Sequence, residues 1–244
     1  MKIVVDLQLY LQLKIKDNTM IYTVGGIKGG SGKTTIATNL AVFLSNQGRD
    51  VILVDADDQE SATDFSAFRH QAKNGDLGYT AVKITGKELN ANVLRLASKC
   101  DDIVIDTGGR DTVSQRSALS VTDIYLVPFA PRSLDIWTLR KVENLVSEIA
   151  PFNTKIRCLS FINKADARGS YKEEAADLLK DSSVLTFLDC PIGNRISFAN
   201  AAASGLGVTE LKPIDEKAIY ELSELYLGIH KALKNNQQEL VLTT

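Results

Sequence analysis

Between residues 21 and 46 an apolar stretch, Ile21 to Val24, leads through the glycine-rich run GGIKGGSGKTT, Gly25 to Thr35, into a helical pattern that puts Ile36, Leu40, Phe43 and Leu44 on one face. A strand that hands over to a helix through so many glycines has few ways to fold, because the turn must be tight and its backbone uncovered. Such a loop aims consecutive N–H groups into one hollow, and the helix behind it adds the positive end of its dipole. The hollow suits an anion. Gly29, Gly30, Ser31 and Gly32 provide the backbone cradle, Lys33 a point charge for β and γ phosphates, and Thr34 a hydroxyl for Mg²⁺, with Thr35 next to it. These residues predict a P-loop that binds a nucleoside triphosphate.

The rest of the chain repeats the strand-then-helix order. Apolar runs at Val51 to Val54, Tyr79 to Ile84, Ile103 to Ile105, Ile124 to Phe129 and Ile156 to Ile162 alternate with helical patterns near 33–47, 60–73, 87–99, 112–120, 133–149 and 171–180. This order predicts an α/β fold, a doubly wound, mostly parallel sheet with helices on both faces, and ligands at the carboxyl ends of its strands. A last helix is expected over about Asp215 to Lys234. At 244 residues, with 44% hydrophobic and 24% charged residues, a single domain over 20–234 accounts for the chain. Residues 1–19 alternate apolar with polar side chains like a strand, and read either as an added edge or as an extension before Met20; residues 235–244 read as a polar, frayed tail. Cys100, Cys158 and Cys190 lie far apart and are expected as buried reduced thiols, while Trp137 and Phe198 are expected to pack in the interior. No apolar run reaches membrane-spanning length and no export signal is evident, so a cytoplasmic location is expected.

Two further segments end apolar runs in acids. Asp106 closes DDIVID and suits a Mg²⁺-bound water; Asp55 and Asp57 stand in DADDQ after Val51 to Val54. The glycine loop also departs from the strict pattern GxxxxGK[ST], since Ile27 replaces its first glycine and a second lysine, Lys28, follows. This loop resembles the deviant P-loop of the ParA/MinD family of dimeric ATPases. The resemblance implies that Lys28 acts across a sandwich dimer on the nucleotide of the partner subunit, that Asp57 positions the attacking water and that Asp55 supports the Mg²⁺ shell. It makes Lys28, Lys33 and Asp57 the catalytic set, Thr34, Asp55 and Asp106 the metal set, and the turn Thr107, Gly108 and Gly109 a switch sensing the γ-phosphate.

Asn163 to Asp166 reads NKAD, which formally matches a guanine-reading motif, while Asn163 also matches the adenine-contacting asparagine of the ParA/MinD relatives; ATP is the expected ligand and GTP the alternative. Pro191 is placed at the nucleotide by the same resemblance. LVPFAPRSLDIWTL and PIGNRISFANAAASGLGVTEL are similar to small plasmid-type ParA proteins, which lack a helix-turn-helix domain. The resemblance therefore implies nonspecific double-stranded DNA and a ParB-type adaptor as partners of an ATP-bound homodimer on the nucleoid, with Arg195, Lys212 and Lys217 as DNA contacts. A formal charge of −2 leaves such binding to local patches. The polar ending KNNQQELVLTT does not fit a membrane-binding helix, so no membrane partner is expected. A non-DNA cargo, such as a protein microcompartment or conjugation complex, would use the same motifs. A small-molecule P-loop ligase is the remaining rival.

Overall fold

The computed structural model describes residues 19–131, 136–166 and 170–242; of Ile136 and residues 234–242 the backbone alone is described. The strand-like alternation read at the start of the chain thus lies outside the described residues, Thr19 excepted. Seven strands, β1 (Met20–Val24), β2 (Val51–Asp55), β3 (Thr80–Lys83), β4 (Asp102–Asp106), β5 (Ile124–Phe129), β6 (Arg157–Ile162) and β7 (Thr186–Phe187), form one sheet in the order β3-β2-β4-β1-β5-β6-β7. Every pairing is parallel. The helices described are α1 (Lys33–Asn46), α2 (Ser61–Ala72), α3 (Leu89–Ala97), α4 (Val113–Leu119), α5 (Ile136–Ile149), α6 (Tyr171–Lys180), α7 (Ile196–Ala203) and α8 (Glu216–Leu242).

Successive residues of each strand face opposite layers. Tyr22, Val24, Leu53, Val104, Leu126 and Phe161 pack against α1, α2, α7 and α8, whereas Ile21, Ile52, Val54, Ile103 and Ile105 pack against Leu89 and Val93 of α3 and Ala118 of α4. Beside that second layer, Tyr125, Val127, Phe129 and Ile162 meet Leu139, Val142 and Leu145 of α5 and Leu179 of α6. Both faces are covered, which is why the strands read as continuous apolar runs.

The strand order positions the site. After β1 the chain passes through α1 to β2 on one side, while after β4 it crosses through α4 to β5 on the other. The neighbouring carboxyl ends of β1 and β4 therefore open a crevice at the switch point. Register sets Val24 and Asp55 both level with Asp106, so the glycine loop and two carboxylates converge there.

Some expectations are corrected. The short β7 and the helix α7 carry no clear periodicity and were not foreseen. The last helix runs to Leu242, so the segment expected to fray from Asn235 has helical backbone instead; its Lys, Asn, Gln and Glu residues, apart from Asn, are good helix formers even without an apolar stripe. Trp137 is 68% exposed rather than packed, while Phe198 is buried as expected. All three cysteines are free, but only Cys158 is fully buried, Cys100 and Cys190 being half-buried. Burial pushes the Cys158 thiol up to about 12 and, with nearby acids, Cys100 to about 11, so neither forms a thiolate at neutral pH.

Candidate nucleotide site

The loop after β1 is shaped by positive φ at Gly30 (79°) and Gly32 (90°), and Gly32 caps the start of α1. A Cβ built on Gly29 or Gly30 would meet nothing within 4 Å, so this stretch of backbone faces open space. Lys33 closes the loop by donating from Nζ to the Lys28 carbonyl at 3.0 Å. Its ammonium is buried, and that burial lowers its pKa against the opposing pull of Asp106 and Asp57. A partly desolvated cation at the start of a helix interacts strongly with any anion that reaches it. Lys28 is half-buried at the rim, and Ser31 is buried. Thr34 and Thr35 begin α1, their carbonyls taken by Thr38 and Asn39.

The two strand-end acids differ. Asp55 is buried and accepts from the Thr63 N–H and hydroxyl, both at 2.8 Å, and from the Asp57 N–H at 3.1 Å. Asp106 is fully buried, and neither carboxylate oxygen has a hydrogen bond of ordinary geometry, the Thr34 hydroxyl being the polar side chain that stands beside it. Burial pushes Asp106 up to about 8; the adjacent Thr34 hydroxyl and Lys33 hold it down, while Asp55 and Asp57 raise it further. Orphaned buried oxygens beside a threonine hydroxyl are hard donors that fit Mg²⁺ with its retained waters.

The turn after β4 lies on the same hollow. A Cβ on Gly109 would come within 2.8 Å of the Gly29 Cα, and one on Gly108 within 2.9 Å of Asp57 Oδ1. Glycine is required there for close approach of backbone to backbone. Thus Gly109 lies against Lys28–Gly29 and Gly108 against Asp57.

From the other side, Asn163 donates to the Ser31 carbonyl at 2.7 Å and Lys164 Nζ to the Gly30 carbonyl at 2.8 Å. Beyond them a cavity of about 290 Å³ is lined by Ala165, Asp166, Lys172, Pro191, Gly193, Asn194, Arg195 and Glu221. The bridge between Ala165 and Gly193 fixes its floor. Pro191 lines this cavity, whereas the Asn163 amide nitrogen is engaged with the loop itself. Arg195 Nε donates to Glu221 at 2.8 Å, and Glu221 also accepts from the Gly193 N–H at 3.0 Å. Arg195 is thus paired at the cavity rather than presented as an unpaired cation, while Lys212 and Lys217 are exposed. Thr63, Lys164 and Glu221 were not foreseen as site residues. Lys164 stands in the NKAD run, which reads as a base-recognition motif rather than as a contact to the glycine loop, while Thr63 and Glu221 stand in none; Lys164 and Glu221 reach the site only through folding.

A glycine loop on a β1–α1 turn, a buried lysine and an orphaned strand-end aspartate at the switch point of a parallel sheet define a P-loop nucleotide-binding protein. Residues 22–208 match the CobQ/CobB/MinD/ParA nucleotide-binding domain model, and the chain belongs to that family, whose ParA and MinD branches are P-loop ATPases. It is 25% identical over 207 residues to "Maintenance of carboxysome distribution protein A" of Halothiobacillus neapolitanus, covering 83% of this chain and 92% of that protein. Its fold is similar to a plasmid partition protein of Borrelia burgdorferi B31 crystallised with AMPPNP, with a TM-score of 0.68, 21% identity and coverage of 87% and 99%. Cobyrinic acid a,c-diamide synthase of Mycobacterium smegmatis, crystallised with an ATP analogue and magnesium, aligns with a TM-score of 0.71, 19% identity and coverage of 89% and 96%. Among the described residues no helix is long and apolar enough to cross a membrane.

Proposed function

We propose that this chain is an ATP-switched positioning protein. Mg-ATP closes a sandwich homodimer, the dimer binds nonspecific double-stranded DNA, and a ParB-type adaptor stimulates slow hydrolysis that releases it on the nucleoid in the cytoplasm. The observation that carries this reading is the buried Lys33 beside the carboxylate of Asp106, with a second lysine, Lys28, on the rim of the same loop. Two cations serve one phosphate chain. Lys33 neutralises phosphate charge within its own subunit, and Lys28, at the rim, extends to the nucleotide of the partner subunit. Asp57, beside the Gly108 turn, orients the attacking water and accepts its proton-side hydrogen bond. Thr34 and Asp106 would hold Mg²⁺, which when bound screens the β and γ oxygens, and Asp55 shapes the loop that carries Asp57.

Lys212 and Lys217 supply phosphate contacts on the outer surface, and Arg195 does so only as one arm of its pair with Glu221. Dimerisation doubles such contacts, so DNA affinity follows the nucleotide. A gel shift on random duplex should give binding with ATP and little with ADP or no nucleotide; equal binding in all three sinks the switch. Asp57→Ala should trap the ATP dimer on DNA and barely turn over.

The cargo is a plasmid or chromosome segment in this reading. The carboxysome-distribution relative favours a second one, a protein microcompartment moved by the same switch. Pull-down with the product of the neighbouring gene separates them: a centromere-binding adaptor supports the first, a shell-binding adaptor the second. The synthase shares only the fold, and a ligase would form product without DNA. Turnover measured with ATP and GTP in parallel tests the base.

A further inference from the structure

The end of β6 reaches across the fold to the glycine loop. The Asn163 amide donates to the Ser31 carbonyl and the Lys164 ammonium to the Gly30 carbonyl, at 2.7 and 2.8 Å. Two consecutive carbonyls of the phosphate loop are thus held by side chains from outside it. A trans peptide is planar, with its C=O and N–H pointing in opposite directions. Fixing the carbonyls of Gly30 and Ser31 therefore turns the N–H groups of Ser31 and Gly32 the other way. The fit is close, since a Cβ on Gly32 would lie 2.3 Å from Asn163 Nδ2.

Lys164 has a φ of 56°, in the left-handed region that a lysine seldom adopts. That conformation costs on the order of 1 kcal/mol and persists where the surroundings demand it, often at a ligand site. Here it accompanies a side chain that returns over Gly30.

The geometry points to Lys164, together with Asn163, as a positioning clamp of the phosphate loop: it holds the Gly30 and Ser31 carbonyls so that the Ser31 and Gly32 N–H groups face the nucleotide phosphates. The inference rests on the nucleotide reading above and adds to it a residue outside the glycine loop. Lys164 touches the loop and acts on phosphate through it, so it is not a catalytic residue.

The test compares wild-type chain with Lys164→Gly and Lys164→Arg, measuring thermal midpoint and the affinity of fluorescent ATP and ADP analogues. Glycine accepts the positive φ without strain but removes the ammonium, so Lys164→Gly should keep or raise the thermal midpoint. It should nevertheless weaken ATP and ADP binding by about tenfold, the scale of one hydrogen bond to a charged group. Lys164→Arg, whose guanidinium can donate to the same carbonyl, should recover most of that loss. Wild-type nucleotide affinity in Lys164→Gly overturns the clamp alone, as does a loss of affinity that only follows a fall in midpoint. A wild-type chain that binds neither nucleotide overturns the nucleotide reading and the clamp with it.

Discussion

Asp55 and Asp106 end adjacent strands and stand level in the sheet, yet their surroundings are opposite. Asp55 receives donors from Asp57 in the following loop and from Thr63 in the first turn of α2. Asp106 receives no donor in comparable geometry, with only the Thr34 hydroxyl beside it. The difference separates two uses of a buried acid. Asp55 organises protein, tying the loop that carries Asp57 to the start of α2, whereas Asp106, in the function proposed above, offers its oxygens to Mg²⁺. An unpaired buried carboxylate costs stability unless protonated or met by a cation, and such a cost is kept at a ligand site more readily than elsewhere.

The comparison can be broken in order of expected effect. Lys33→Ala removes the cation beside Asp106 and Asp57 and should abolish measurable nucleotide binding, read by fluorescent-nucleotide titration. Asp55→Ala should destabilise the apo protein by about 3 kcal/mol in urea unfolding, because it leaves the Thr63 and Asp57 donors without their carboxylate. Asp106→Asn should do the reverse and stabilise the apo protein by about 1–3 kcal/mol near neutral pH, since it removes the cost of holding a buried carboxyl protonated above its ordinary range. The pH dependence has a definite sign. Raising a carboxyl from 3.8 to about 8 on folding gives stability that is full below about pH 4 and is lost as pH rises toward 8. The advantage of Asp106→Asn should therefore be small near pH 4 and grow toward pH 8. Equal and like-signed effects at Asp55 and Asp106 would remove the distinction.

Much of this frame is legible in the sequence. The spacing of Gly29, Gly30 and Gly32 before Lys33 fixes the loop locally, and the apolar runs fix six of the strands because both sheet faces are covered. Local pattern fails where periodicity is weak: Thr186–Phe187 is too short to carry one, and Ile196–Ala203 is rich in alanine without a clear stripe. Nor does the sequence separate Asp55 from Asp106, because each simply closes an apolar strand. Their difference lies in Thr63, whose donation to Asp55 depends on how α2 begins. Lys164 and Glu221 are farther still from local reading; each meets its partner only through the β1-β5-β6 neighbourhood or the packing of α8. Trp137 illustrates the opposite error, an apolar residue assigned to the interior that stands on the surface.

The proposal that Asp106 would hold the magnesium of a bound nucleotide is tested most directly by titrating ATP into wild-type chain and Asp106→Asn with and without Mg²⁺. Mg²⁺ should tighten ATP binding to wild type and should have lost most of that effect in Asp106→Asn, which remains folded. The same dependence on Mg²⁺ in both proteins would contradict the account.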